Sequence, residues 1–366
     1  MKCKTGTKVR NKTEKSMEEH EKWMRRCIEL ARKGRMGAPP NPMVGAVIVH
    51  EGRIIGEGYH QRCGEAHAEV NAVTSVRERH LLPHSTLYVS LEPCSHYGKT
   101  PPCAELIVRE RIPEVVVGCI DPFSSVQGRG IARLREAGCR VVTDVCRDEC
   151  VSLNRRFFTF HTCRRPYITL KWAQSADGYL DLLRTEGGSP VGLSTPHTRM
   201  EVHRLRTEHQ AILVGGNTAR LDNPSLTARW WPGPDPLRVV VAGSAKLPSS
   251  LRLFDGTVPT LLVCHASVAS WYEGLPTVSL FVPRADEPLL PQLMVELHRR
   301  GIQSLLVEGG SITTQGFIDA GLWDEVVVEH AACILGNGVP APVFPPGVSR
   351  SLTTKWGVPF EWIKRT

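Results

Sequence analysis

The sequence predicts an α/β protein of two domains, on three observations. The chain has 366 residues, about twice the ~100–200 of a common domain. Stretches of helix period and strand period alternate from residue 17 to 161, the pattern of a layered α/β domain. A second alternation follows after Cys163, and several of its strands are continuously apolar, as in a sheet covered on both faces.

Composition narrows the class further. The chain is 41% hydrophobic and 22% charged, a globular balance that excludes a disordered or collagen-like chain. No apolar run reaches the ~18–20 residues of a membrane span, and no signal-peptide core is visible, so a soluble, cytoplasmic protein is expected. The 12 cysteines are too sparse and too uneven for a disulfide scaffold, so free thiols are expected, with a few left to serve a metal. The net charge is +8, but Lys2, Lys4, Lys8, Arg10, Lys12 and Lys15 against Glu14 place +5 of it in Met1–Ser16. That segment lacks apolar periodicity and is expected to be a basic disordered tail over 1–16. With so little excess charge elsewhere, specific nucleic-acid binding is not expected.

The first domain is expected over 17–161. A helix opens it, with Trp23, Met24, Cys27, Ile28, Leu30 and Ala31 on one stripe and Gly34 as its cap. Val44–Val49 and Arg53–Gly58 read as a hairpin around Glu51-Gly52. HAEVNAVTSV reads as a helix, STLYVSLEPC as a buried strand ending in a loop, and CAELIVRERI as a helix. EVVVGCI, GRGIARLREAG and CRVVTDV complete a strand, a helix and a strand.

The second domain is expected over 162–366. YITLKWA, HQAILVGG, LRVVVAG, TLLVCH, QSLLVEGG and DEVVVEH read as strands. STPHTRMEVHRLRTE and PLLPQLMVELHRRG read as helices.

The strongest chemical signal is His67-Ala68-Glu69, then Pro93-Cys94, then Cys103. Imidazole and thiolate suit zinc, and a catalytic zinc keeps three protein ligands and one water. His67, Cys94 and Cys103 supply that set. Glu69 then stands beside the metal to handle protons, the division of labour in zinc deaminases. Both cysteines are expected near helix starts, where partial positive charge favours thiolate. Between them lie eight residues, SHYGKTPP, instead of the two of the short deaminase signature.

HAEVNA and EPCSHYGKTPPC, preceded by PPNPMVGAVIV and followed by DPF and GRGI, resemble the bifunctional deaminase–reductases of riboflavin biosynthesis, the RibD type. The likeness runs from about Met17 to near residue 340. It implies a cytidine-deaminase-like three-layer α/β/α domain followed by a dihydrofolate-reductase-like α/β domain. It implies one zinc per chain, NADPH, a small phosphorylated pyrimidine as substrate, and a homo-oligomer, dimer or tetramer. The first domain would deaminate 2,5-diamino-6-ribosylamino-4(3H)-pyrimidinone 5′-phosphate. The second would reduce the ribosyl side chain to ribityl.

The resemblance also implies residue roles. Asn41, His96, Lys99 and Asp121 match deaminase substrate positions; Phe123 departs, standing where the family has asparagine. LKWAQSADG, LSTPHTRMEVHRLR, GGNTARLDNPSLTAR and VEGGSITTQGF carry the reductase match. They put Lys171, Arg206, Leu226, Arg229 and Glu308 on the substrate side. Ala173, Thr218, Asp222 and the loop Gly310, Ser311, Ile312, Thr313, Thr314, Gln315 and Gly316 fall on the cofactor side. Guanidinium forks suit a ribose phosphate, so Arg206 and Arg229 are expected to hold it. The second domain has no G-x-G-x-x-G, and its glycine turn into a helix suits a diphosphate by another route. Val191–Leu193 and Ala242-Gly243 depart from the family pattern and carry no roles. His50, His60, His80 and His84 match no motif and are expected at the surface or in ordinary packing; Trp230-Trp231 is expected to pack or to form a lid.

Overall fold

The structure, a computed structural model, describes residues 12–95, 101–123, 127–185 and 188–364. The chain divides into two units between Cys163 and Arg164. Among the described residues, no helix is long and apolar enough to cross a membrane.

The first unit runs α1 (Lys12–Arg32), β1 (Gly45–His50), β2 (Arg53–Tyr59), α2 (Ala68–Ser75), β3 (Thr86–Val89), α3 (Cys103–Arg109), β4 (Glu114–Val117), α4 (Arg129–Glu136), β5 (Arg140–Val142), α5 (Arg147–Leu153) and α6 (Arg155–Cys163). The sheet order is β2-β1-β3-β4-β5. β1 pairs antiparallel with β2 and β3, and β3, β4 and β5 run parallel. Alternate side chains sort to opposite faces, as strand geometry requires. Ala46 and Ile48 pack with Ala72, Ile107 and Leu134 from α2, α3 and α4. Val47 and Val49 pack with Met24, Ile28 and Cys150 from α1 and α5. The result is three layers, helix on sheet on helix.

Two local features differ from the sequence expectation. Helix α1 opens at Lys12, inside the segment expected as disordered tail, because KTEKSMEEHEK is rich in strong helix formers even without an apolar stripe. Residues 1–11 lie outside the described residues. Gly34 does not take the left-handed conformation of a helix cap. A Cβ on it would stand 2.4 Å from the His60 carbonyl oxygen, so glycine serves a close backbone approach.

Glu92, between β3 and Cys94, ties three loops together. Its buried carboxylate accepts backbone N–H groups of Asp121, Gly128, Gly130 and Ile131 at 3.3, 2.9, 2.9 and 3.3 Å. Two of these donors belong to the first turn of α4. Glu92→Gln turns an amide NH₂ onto donors that need an acceptor. A charged hydrogen-bond acceptor of this kind contributes about 1.5–3 kcal/mol. The first unit of the variant is expected to melt several degrees lower, at about 2–4 °C per kcal/mol, as read by differential scanning calorimetry.

The second unit runs β6 (Tyr167–Gln174), β7 (Tyr179–Asp181), α7 (Pro196–Glu208), β8 (Ala211–Gly215), α8 (Gly216–Asp222), β9 (Leu237–Gly243), β10 (Thr260–Cys264), β11 (Val278–Phe281), α9 (Leu289–Arg299), β12 (Ser304–Val307), α10 (Ser311–Asp319), β13 (Glu325–His330), β14 (Val339–Pro340), β15 (Ser349–Lys355) and β16 (Val358–Lys364). Nine strands form one sheet in the order β11-β10-β9-β8-β12-β6-β13-β16-β15. The seven from β11 to β13 are parallel, and β16 and β15 add antiparallel pairs at the edge. Ile212, Val214, Val240, Leu262 and Leu306 fill one core, and Leu213, Val239, Leu261, Leu305 and Val307 the other. That two-sided burial is why these strands read as unbroken apolar runs.

The β15–β16 hairpin was not legible in the sequence. Every residue of β15 except Lys355 is exposed, and only Phe360 and Ile363 of β16 are buried. Strand β12 lies between β8 and β6 although it follows them in the chain. Such a reversal of strand order opens a crevice beyond the carboxyl ends of the strands.

Candidate functional site

In the first unit, His67 precedes α2 as its N-cap residue, and Cys103 is the first residue of α3. Cys94 lies in the loop after β3 and not at a helix start, a correction to the sequence reading. It faces the start of α3 instead, where the Cys103 N–H donates to Cys94 Sγ at 3.3 Å. His67 Nδ1 lies 3.5 Å from Cys94 Sγ and 3.4 Å from Cys103 Sγ. All three ligand atoms fall within 4.8 Å of one another. One imidazole nitrogen and two sulfurs converging this closely fit a tetrahedral zinc with one place open. The hydrogen bond from Cys103 draws the Cys94 thiol well below its ordinary range. Cys103 is pushed up by the thiolate beside it and by burial.

Glu69 is the second residue of α2 and is 3% exposed. Burial, reinforced by the Cys94 charge, pushes its carboxyl up to about 7. A carboxyl poised near neutrality both accepts and gives up a proton readily.

Asn41 sits beside this group. Its amide Nδ2 is 3.1 Å from His60 Nε2, and His60 Nδ1 is 3.1 Å from the Ala66 carbonyl oxygen. The carbonyl requires Nδ1 to be the donor, so Nε2 accepts from the amide. His60 is 2% exposed and its ring meets His67 edge-on, centroids 5.3 Å apart. It is thus a buried packing residue, and no spacing motif had marked it as a neighbour of the metal-ligand group. Asp121 is buried and accepts from the Phe123 N–H at 2.8 Å, closing a local turn. Phe123 is half-exposed against the ring of His161. His96 and Lys99 lie outside the described residues.

In the second unit, a cavity of about 830 Å³ opens at the crevice beyond β6, β8 and β12. Lys171, Arg206, Arg229 and Glu308 line it from the expected substrate set. Ala173, Thr218, Asp222, Gly310, Ser311, Ile312, Thr313 and Thr314 line it from the expected cofactor set. The glycines answer to steric need. A Cβ on Gly309 would stand 2.5 Å from Val214 Cα, and Gly310 has φ +30°. Backbone held this close at the start of α10 presents N–H groups to an anion.

Three expected positions are not in the wall. Leu226 is 2% exposed, with its side chain in the core. Gln315 turns away to Asp319 and to both backbone groups of Val343. Gly316 faces Leu290. The rise of α10, about 1.5 Å per residue, carries both along the helix axis away from the cavity.

Arg206 is not an open phosphate fork. Its Nε and Nη2 donate to both oxygens of Glu308 at 3.0 and 2.6 Å, and Nη1 donates to the Thr227 carbonyl at 3.0 Å. Burial works to raise the Glu308 carboxyl, but the guanidinium holds it below its ordinary value. Arg229 is less committed, with a 3.4 Å contact to Thr227 Oγ1 and its guanidinium over the Trp230 ring.

Arg184, Arg199 and His203 also line the cavity and escaped the sequence reading. Arg199, His203 and Arg206 recur at helical spacing on one face of α7, a signal that periodicity could have given. Arg184 left no such trace; it pairs with Asp181 and Asp222 at 2.6 and 2.5 Å. The Pro190–Ser194 segment forms part of the wall despite its departure from the family pattern, and so does Trp230.

Comparison with known proteins agrees across both units. Residues 17–119 match the cytidine and deoxycytidylate deaminase zinc-binding region, and residues 166–357 match the RibD C-terminal domain. The chain is similar to the riboflavin biosynthesis protein RibD of Aquifex aeolicus, 39% identical over 87% of this chain and 88% of that one. With the protein of the same name from Escherichia coli it is 34% identical over 90% and 92%. A solved diaminohydroxyphosphoribosylaminopyrimidine deaminase/5-amino-6-(5-phosphoribosylamino)uracil reductase from Thermotoga maritima superposes with a TM-score of 0.83. It is 32% identical, with 96% of this chain and 100% of that one covered.

Proposed function

The chain belongs to the RibD family of riboflavin-biosynthesis enzymes, and we infer that its two units carry out two consecutive reactions. The first unit is a zinc-dependent deaminase. It hydrolyses the ring amine of 2,5-diamino-6-ribosylamino-4(3H)-pyrimidinone 5′-phosphate. The second is an NADPH-dependent reductase that converts the ribosyl side chain to ribityl, giving 5-amino-6-(5-phospho-ribitylamino)uracil. The observation that carries the reading is the convergence of His67 Nδ1 with two cysteine sulfurs beside a buried, near-neutral carboxyl.

His67, Cys94 and Cys103 hold the zinc, since nitrogen and thiolate donors select it over magnesium or calcium. When bound, zinc lowers the pKa of a water to about 7. Glu69 takes a proton from the attacking water and returns it to the departing amine, which leaves as ammonia. Asn41, with its Nδ2 held by His60, turns its carbonyl oxygen toward the pyrimidine; His96, Lys99 and Asp121 complete the substrate contacts.

In the second unit, NADPH supplies the hydride when bound. Backbone N–H groups from Gly310 to Thr313 receive its diphosphate, and Ala173, Thr218 and Asp222 line its path. Arg229 supplies the cation for the substrate phosphate. Lys171 and the Arg206–Glu308 pair position the sugar carbon, and positioning of this kind accounts for much of a barrier.

A homo-oligomer and a cytoplasmic location are part of the same proposal. Leu352 and Trp356 on the edge hairpin expose 68% and 61% of their surface, a feature suited to a partner, and the described cysteines are free thiols, as in a reducing compartment.

Coupled turnover of purified protein with the pyrimidine, zinc and NADPH tests the reading. Wild type is expected to release ammonia and consume NADPH, with about one zinc per chain. Cys94→Ser is expected to lose the zinc and ammonia release, yet still oxidise NADPH when given the deaminated intermediate. Full zinc retention in that variant would exclude Cys94 as a ligand.

A further inference from the structure

We propose that Glu329 is a positioning residue of the reductase, holding Lys171 and the Ser194 wall in place from behind the cavity. The proposal rests on the reading of Lys171 as a substrate-side residue. Glu329 is fully buried near the end of β13, where the neighbouring Val326 and Val328 belong to the apolar core. It is not among the residues lining the cavity, whereas Lys171 and Ser194 both are. Its Oε2 lies 3.5 Å from Lys171 Nζ and accepts from Ser194 Oγ at 2.7 Å. Its Oε1 has no hydrogen-bond partner among the described residues.

Register explains how the contact arises. β13 runs parallel to β6, with Glu329 opposite Ala173 and Val327 opposite Lys171. Lys171 and Ala173 share a face, as do Val327 and Glu329, so carboxylate and ammonium meet diagonally across two strands. A wholly buried carboxylate with one oxygen unpartnered costs stability, and an apolar residue would avoid that cost. What the carboxylate provides is a fixed anion for Lys171.

Charge accounting around the lysine supports this. The other nearby carboxylate, Glu308, is already taken by both arms of Arg206. Glu329 therefore balances Lys171, which lines the cavity. Through Ser194 the same carboxylate anchors the segment Pro190–Ser194 to the lysine strand. One buried group thus ties two parts of the cavity wall, Lys171 and Ser194, to each other.

A double-mutant cycle tests this on the full-length enzyme, with reduction of the deaminated pyrimidine as readout and NADPH affinity measured separately. Glu329→Gln is expected to lower kcat/KM for reduction by about 10–100-fold, the loss for one charge-assisted contact. Glu329→Asp is expected to recover part of it, and ammonia release by the first unit is expected to stay unchanged in both. Lys171→Met is expected to lower reduction by itself, and adding Glu329→Gln to it should cost nothing more, since the ion-pair partner is gone and the amide oxygen still accepts from Ser194. Additive losses in the double variant would show that Glu329 acts through the fold and not through Lys171, overturning the proposal. So would a Glu329→Gln enzyme with wild-type kcat/KM. Should Glu329→Gln alone not fold, the neutral double variant Lys171→Met/Glu329→Gln, whose amide oxygen still accepts from Ser194, takes its place; it is expected to reduce no more slowly than Lys171→Met alone, and a further loss overturns the proposal. A Lys171→Met enzyme that reduces normally removes the underlying reading of the lysine itself.

Discussion

Glu69→Gln is expected to keep its zinc and its fold while losing deamination by on the order of 10²–10⁴-fold, the usual worth of a general acid–base group. Glutamine matches the shape of the buried carboxyl, so α2 and the metal-ligand triangle retain their packing. What the amide lacks is a proton that moves reversibly near neutral pH, where burial has pushed Glu69, to about 7. NADPH oxidation with the deaminated intermediate should proceed at the wild-type rate, because the residues lining that cavity belong to the second unit. Metal analysis, ammonia release and NADPH consumption on one preparation separate these outcomes. Ammonia release near the wild-type rate would exclude Glu69 as the proton carrier.

Arg206→Ala is expected to be the most damaging single change in the reductase cavity. Removing the guanidinium leaves Glu308 a buried carboxylate without its two donors. Breaking a buried pair in this way costs about 3–5 kcal/mol. Reduction is expected to fall on the order of 10²–10³-fold, with a lower melting temperature for the second unit. Arg206→Lys should rescue poorly, because a point charge cannot engage two carboxylate oxygens and the Thr227 carbonyl together. Arg206→Met with Glu308→Leu should restore melting but not reduction, since the uncompensated charge disappears along with the site. Steady-state reduction and calorimetry on these variants distinguish a pair that only stabilises from one that shapes the substrate pocket. Reduction restored along with stability would assign the pair a purely structural role.

The Arg206 result differs from what residue chemistry alone suggested. Arg206 and Arg229 fall at the family's substrate positions, and guanidinium forks suit a phosphate. The partner of Arg206 lies 102 residues away, at the end of a strand that threads between two earlier ones. No local pattern carries that information. The same holds for Leu226, whose side chain the fold turns into the core, and for Glu92, whose four backbone donors arrive from a loop and the first turn of a later helix.

By itself, the sequence determined what depends on residue type and short spacing. Alternating apolar periods marked the strands and helices, and unbroken apolar runs marked strands covered on both faces. His67, Glu69, Cys94 and Cys103 declared a zinc-and-carboxyl chemistry because few other functions need those groups together. The tertiary structure alone decided which charges pair, which face of each helix meets a cavity, and which polar groups are buried. Those outcomes follow from strand order and register. Insertion of β12 between β8 and β6 brings Glu308 to Arg206, and the parallel register of β13 on β6 brings Glu329 to Lys171. Hydrophobic periodicity is a property of neighbours along the chain; an ion pair is a property of neighbours in space, and its strength depends on a burial that exists only after the sheet has assembled.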